Sequence, residues 1–138
     1  MASALQILQD GVVVALKADA AVSAIIGARA YTLRPQVPTF PYVTCTVSSF
    51  FPEEQDNFDR DILTLQVDAW ACQRPQRLNV KPLADAVSRA LHMADFSLAD
   101  PYGLGAINLL SAEIPDDPIA GTNYAALRFE CQVTRTEA

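Results

Sequence analysis

Apolar residues recur at helical spacing at the start of the chain: Leu5, Leu8, Val12 and Leu16 form one stripe, which predicts a helix from about Ser3 to Lys17. Ser3 with Gln6 three residues later fits a capping box, in which each side chain satisfies an orphan backbone N–H. The run Val12-Val13-Val14 works against helix, because branched side chains lose rotamer freedom there, so burial must hold it. A short second helix follows. Asp19 is its candidate cap, Val22, Ile25 and Ile26 face inward, and Gly27 is suited to the left-handed closing conformation.

From Arg29 the period changes. Arg29-Ala30-Tyr31-Thr32-Leu33 reads as a short extended piece, and Pro35, Pro38 and Pro41 keep the next stretch out of a central ladder. Tyr42 to Phe50 alternates, with Val43, Cys45 and Val47 on one face and Thr44, Thr46 and Ser48 on the other. The polar segment Phe51 to Asp61 reads as an extended hairpin connection. The next strand, about Ile62 to Ala71, sets Leu63, Leu65, Val67 and Ala69 against Thr64, Gln66, Asp68 and Trp70. A face of core residues opposite a polar face predicts an antiparallel sheet covered on one side.

Arg74-Pro75-Gln76 ends that strand, and a third helix is expected from about Asn79 to Met93, burying Val80, Leu83, Ala84, Val87, Ala90 and Leu91. Pro82 falls in its first turn, where proline is tolerated. Asp100-Pro101-Tyr102-Gly103-Leu104-Gly105 reads as a turn. A strand near Ala106 to Ile114 stops at Pro115-Asp116-Asp117-Pro118, most simply a stiff exposed turn. The last strand, about Tyr124 to Arg135, alternates Ala125, Leu127, Phe129, Cys131 and Val133 inward with Arg128, Glu130, Gln132 and Thr134 outward. This order implies an α+β class: an antiparallel sheet of about four strands against two to three helices, in one domain spanning 1–138.

Composition narrows the function. Of 138 residues, 51% are apolar and 19% charged, with 16 acids against 10 bases and a net charge of −6. That argues against disorder and against a basic nucleic-acid reader, whose affinity rests on Lys and Arg at phosphates. No apolar run approaches the roughly 20 residues that span a bilayer, so no membrane partner is expected. The start Met1-Ala2-Ser3-Ala4-Leu5-Gln6 lacks the basic and apolar blocks of a signal peptide, which points to a cytosol-like setting. Cys45, Cys72 and Cys131 are widely spaced and form no CxxC, so they read as small hydrophobes. A zinc site, a Cys-His pair or a Ser-His-Asp triad would each have to use the single histidine, His92. That residue ends the third helical pattern, where a cation favours the carboxyl end. No catalytic residue, metal or cofactor is expected, and carboxylate-only chemistry is the one enzymatic alternative.

Five of the sixteen acids, Glu53, Glu54, Asp56, Asp59 and Asp61, crowd the hairpin segment together with Asn57. They lack the spacing and central glycine of a calcium loop, so a solvated tip is the simpler reading. Phe50, Phe51 and Phe58 flank or enter that segment, as staples of the hairpin or as anchors for a partner protein. Trp70 either packs under a helix or sits in a subunit interface; with Asp116 and Asp117 it is a secondary interface candidate. Gly103-Leu104-Gly105 has no third glycine opening a helix, so it is not a phosphate turn.

Taken in order, Leu5, Leu8 and Leu16, Ala18-Asp19 through Ile26-Gly27 to Arg29-Ala30-Tyr31, Pro41-Tyr42-Val43, Asp68-Ala69-Trp70, the helix with Leu83, Val87 and Leu91, and Leu127-Arg128-Phe129 carry a resemblance. The chain resembles the small tail-completion, or tail terminator, proteins of long-tailed phages and phage-like gene transfer agents. The resemblance implies a structural subunit, not an enzyme, that closes into a six-membered ring on the finished tail tube. Such a ring ends tail polymerisation and joins the tail to the head-side connector. Its implied partners are further copies of itself, the major tail tube protein and that connector. DNA passes through the lumen without specific binding. The implied location is the particle neck, after assembly in the bacterial cytoplasm. The alternative is another head-tail joint or minor tail component acting as a protein-binding module.

Overall fold

The computed structural model describes residues 4–33, 36, 39, 41–55, 58–72, 80–94, 96–98, 102–113 and 122–135; for 4, 48–55, 58–60, 72, 122, 123 and 135 the description is of the backbone. Helix α1 (Ala4–Ala18) buries Leu8, Val12 and Leu16 completely, with Ile7 beside them and Leu5 half-buried. The valine run stays helical because Val12 lies in the core and Val13 packs against it; only Val14 is exposed. Gly11 lies under Phe96 and Leu98: a Cβ there would stand 2.6 Å from Leu98 Cδ2, and the end of that side chain would have to shift.

Helix α2 (Ala20–Ile26) starts where the sequence says it should. Asp19 is extended, and its side chain accepts a hydrogen bond from the Val22 N–H at 3.0 Å. Caps of this kind contribute about 1 kcal/mol. Gly27 closes the helix at φ 61°, donating its N–H to the Ser23 carbonyl at 2.8 Å. Helix α3 (Val80–Leu91) buries Val80, Leu83, Ala84, Ala86, Val87 and Leu91 and exposes Lys81, Asp85 and Arg89.

The strands are β1 (Ala30–Tyr31), β2 (Tyr42–Gln55), β3 (Phe58–Cys72), β4 (Tyr102–Glu113) and β5 (Thr122–Arg135). They form one sheet in the order β1-β2-β3-β5-β4. Leu63, Leu65, Val67 and Ala69 of β3 and Ala125, Leu127, Phe129, Cys131 and Val133 of β5 are all buried, and they share one core with the three helices. Central strands need this density of apolar residues on the covered face; the other face of the sheet carries no helix among the described residues.

The α+β class stands, with one strand added. The extended piece at Ala30–Tyr31 joins the sheet, and its pairing with β2 is parallel, so the sheet is mixed. Two readings are corrected. The segment 51–61 is not an open connection: β2 and β3 stay paired through Pro52↔Asp61, Glu53↔Arg60, Glu54↔Asp59 and Gln55↔Phe58. Backbone pairing needs no apolar side chains, and β5 supports β3 on its other side as far as Asp59↔Arg135. Likewise Tyr102 to Gly105 is strand, not turn. It pairs with β5 from Tyr102↔Arg135 onward, with the register shifted between Leu104 and Ala106. Ser3 lies outside the described residues, so the capping box does too.

Candidate functional site

The fold separates the predicted site residues into two regions. Phe50, Phe51, Glu53 and Glu54 lie on the distal part of β2, and Phe58, Asp59 and Asp61 on the facing part of β3. Asp61 is half-buried and shares the covered face with Leu63 and Leu65. Asp56, Asn57, Asp116 and Asp117 lie outside the described residues. Trp70 stands nine positions along β3 from Asp61, roughly 30 Å at strand rise, and on the opposite face. The structure therefore does not bring Trp70 and the acids together.

Among the described residues Trp70 does not pack under a helix. It lies on the face of the sheet opposite the helices, half-buried in a row of four aromatic rings. Its ring is 4.8 Å from that of Tyr124 and 6.1 Å from that of Tyr42, both stacked, and Tyr42 is 6.3 Å from Tyr31 in a tilted contact. The register builds this row, since Tyr42↔Trp70 and Trp70↔Tyr124 are direct cross-strand partners. Tyr42 is fully buried between its neighbours, and Thr44 beside it is 9% exposed. Sequence reasoning singled out Trp70 alone. The missed signal is phase: Tyr42 falls in step with Thr44 and Thr46, Trp70 with Asp68 and Gln66, and Tyr124 with Arg128. Each is an aromatic in the polar half of its alternation.

Polar groups border the row. Gln66 donates from Nε2 to Asp68 Oδ1 at 3.0 Å. Burial pushes the Asp68 carboxyl up from the usual range, and the Gln66 bond and the Arg128 guanidinium pull it part of the way back. A carboxyl raised on folding makes the folded state less favourable above the unfolded value and is relieved as pH falls through the folded one. At neutral pH Asp68 thus works against the isolated fold. The outer surface of α3 differs: its Asp85–Arg89 pair, at 3.1 Å, is exposed on both sides and contributes little.

Burial, with Asp68 near one thiol and Glu130 near the other, pushes Cys45 and Cys131 up to about 12, so both are held as protonated thiols in the core. Cys72 has only its backbone described. His92 follows α3 as expected, and its side chain reaches β4 rather than the helix end: its Nδ1 accepts the Leu109 N–H at 3.0 Å. Among the described residues no group of three His, Cys, Asp or Glu side chains stands close enough to hold a metal ion, and no helix is long and apolar enough to cross a membrane.

A family model described as Tail completion protein gp17 matches residues 10–134. No curated protein matches the chain. Among solved structures, a chain from the virion of a native gene transfer agent particle is similar, with a TM-score of 0.81 and 24% identity over 96% of this chain and 99% of that one. That likeness is one of fold. Because the family match runs from the middle of α1 to the penultimate residue of β5, this chain belongs to the tail completion protein gp17 family and is a structural protein of a phage-type tail.

Proposed function

We propose that this subunit closes into a six-membered ring on the end of the finished tail tube, stops further tube growth, and joins the tail to the head-side connector. The observation that carries the reading is the sheet face opposite the helices, where the half-buried rings of Tyr31, Trp70 and Tyr124 stand around the buried Tyr42 and are bordered by Gln66, Asp68 and Arg128. An aromatic centre with a polar border is the composition of a protein–protein contact. A donor from a neighbouring copy at Asp68 would offset its unfavourable burial. A closed ring needs two different surfaces on each copy, and the β2–β3 hairpin, far along the sheet from Trp70, is the second. That a protein of the same fold comes from a gene transfer agent virion agrees with a place in such a particle. The whole chain acts as one domain, assembled in the bacterial cytoplasm and carried in the particle neck, and it performs no bond-making chemistry.

In this reading the ring works by geometry. It occupies the tube surface that would receive another tube subunit and offers a different surface to the connector. DNA traverses the lumen unbound, because the hairpin segment that carries Glu53, Glu54, Asp56, Asp59 and Asp61 borders the passage and its negative charge repels phosphate. Purified protein, alone or templated by tail tube protein, is expected to form closed rings by electron microscopy and sedimentation. A species that remains monomeric after mixing with tube would overturn the reading. Changing those five acids to their amides should leave particles assembled but alter DNA ejection; ejection with unchanged kinetics and salt dependence would remove the lumen placement.

A further inference from the structure

A sheet of strands in line has two edges, and a bare edge is a template for another chain. On the β4 side, Ile107 and Leu109 direct their backbone groups away from β5. The Ile107 carbonyl accepts the Met93 N–H at 2.7 Å, and the Leu109 N–H donates to His92 Nδ1 at 3.0 Å. These are an acceptor and a donor that an added strand would use. Both partners come from the turn after α3. Met93 holds φ at 58°, a conformation disfavoured for a residue with a side chain, and its N–H goes to the strand. Register shifts between Leu104 and Ala106 and between Leu109 and Ser111 bracket the capped stretch. The other side is blunted too. At its start β2 is covered by the two-residue β1, with the Val43 N–H on the Arg29 carbonyl at 3.0 Å, and beyond β1 the Val47 N–H goes to Gln9 Oε1 at 2.8 Å. Pro52, opposite Asp61 in the same outward phase, has no N–H to offer.

We infer that the His92–Met93 turn is an edge guard: it occupies the β4 backbone groups that would otherwise take a strand from a second copy of this chain, so copies meet through faces and not by continuing the sheet. The inference does not depend on ring formation. It is tested by sedimentation velocity over a concentration series and amide exchange on the full chain, comparing wild type with His92→Ala, His92→Asn and the double variant His92→Ala/Leu109→Pro. His92 is exposed, so its replacement leaves the core intact. In His92→Ala the Leu109 amide should exchange at least about tenfold faster, and a concentration-dependent dimer, paired β4 to β4 and absent from wild type, should appear. His92→Asn, whose Oδ1 takes the place of Nδ1 as acceptor, should behave as wild type. The double variant should return to the wild-type size distribution, because proline offers an incoming strand no N–H. Unchanged exchange at Leu109 would overturn the bond, and faster exchange without new species would overturn the guard. A monomeric wild type bears only on the ring; the difference between wild type and variant bears only on the guard.

Discussion

Phe129→Ala lowers the stability of the subunit by about 3–5 kcal/mol in equilibrium denaturation, with the slope of the transition unchanged. Phe129 is among the largest completely buried side chains and sits on β5, where the register sets it beside Leu65 of β3 and Leu109 of β4. Removing the ring loses its transfer free energy and leaves a cavity that two flanking strands, held by their backbone pairing, collapse into only partly. Since domains of this size are stable by only about 5–15 kcal/mol, the variant retains a small margin. Phe129→Leu keeps most of the volume and should lose less than about 1.5 kcal/mol. A loss below 1 kcal/mol for the alanine variant would mean that the centre of the sheet is not where the helices close over it.

Trp70→Ala is expected to separate assembly from folding. The side chain is half-buried and makes two stacked ring contacts, each worth about 0.5–1.5 kcal/mol beyond its area, so the isolated subunit should weaken but stay folded. Assembly should suffer more. Truncating a central aromatic anchor typically costs an interface 2 kcal/mol or more, about 30-fold in affinity. Ring formation, or binding to tail tube, should therefore fall by at least about that factor, while Trp70→Phe, which preserves a ring in the row, should retain most of it. Thr46→Ala, exposed on the same face away from the row, is the control and should change neither quantity. Equal assembly by Trp70→Ala and wild type would remove the face opposite the helices as the contact surface, and the ring would have to be built through the helix layer or the hairpin alone.

The residues that define the helices were legible because their signals are local. Asp19 caps α2 through a bond to Val22, three residues away, and Gly27 closes it at positive φ; neither needs a distant partner. The alternation of β5 was equally plain, since period two alone assigns Ala125, Leu127, Phe129, Cys131 and Val133 to one face, and all five are buried. The acid-rich segment reads as a hairpin connection because its side chains are polar, whereas the strands run further into it, paired by backbone groups between β2 and β3 and, behind them, β5. His92 misled in a related way. Its place at the end of α3 was evident, but its acceptor role depends on Leu109, which is brought there by a strand that follows later in the chain.

Composition and periodicity were enough to establish the α+β class and the buried faces, because those follow from burial preference and short-range geometry. Register was beyond them. Which aromatic stands beside which, and which backbone groups at a sheet edge are already taken, depend on strands 28 and 54 positions apart, as in Tyr42↔Trp70 and Trp70↔Tyr124. Sliding a strand by two residues leaves every side chain on its own face and the sequence pattern intact, yet it would dismantle the aromatic row; only the packed helices and paired strands choose between those alternatives.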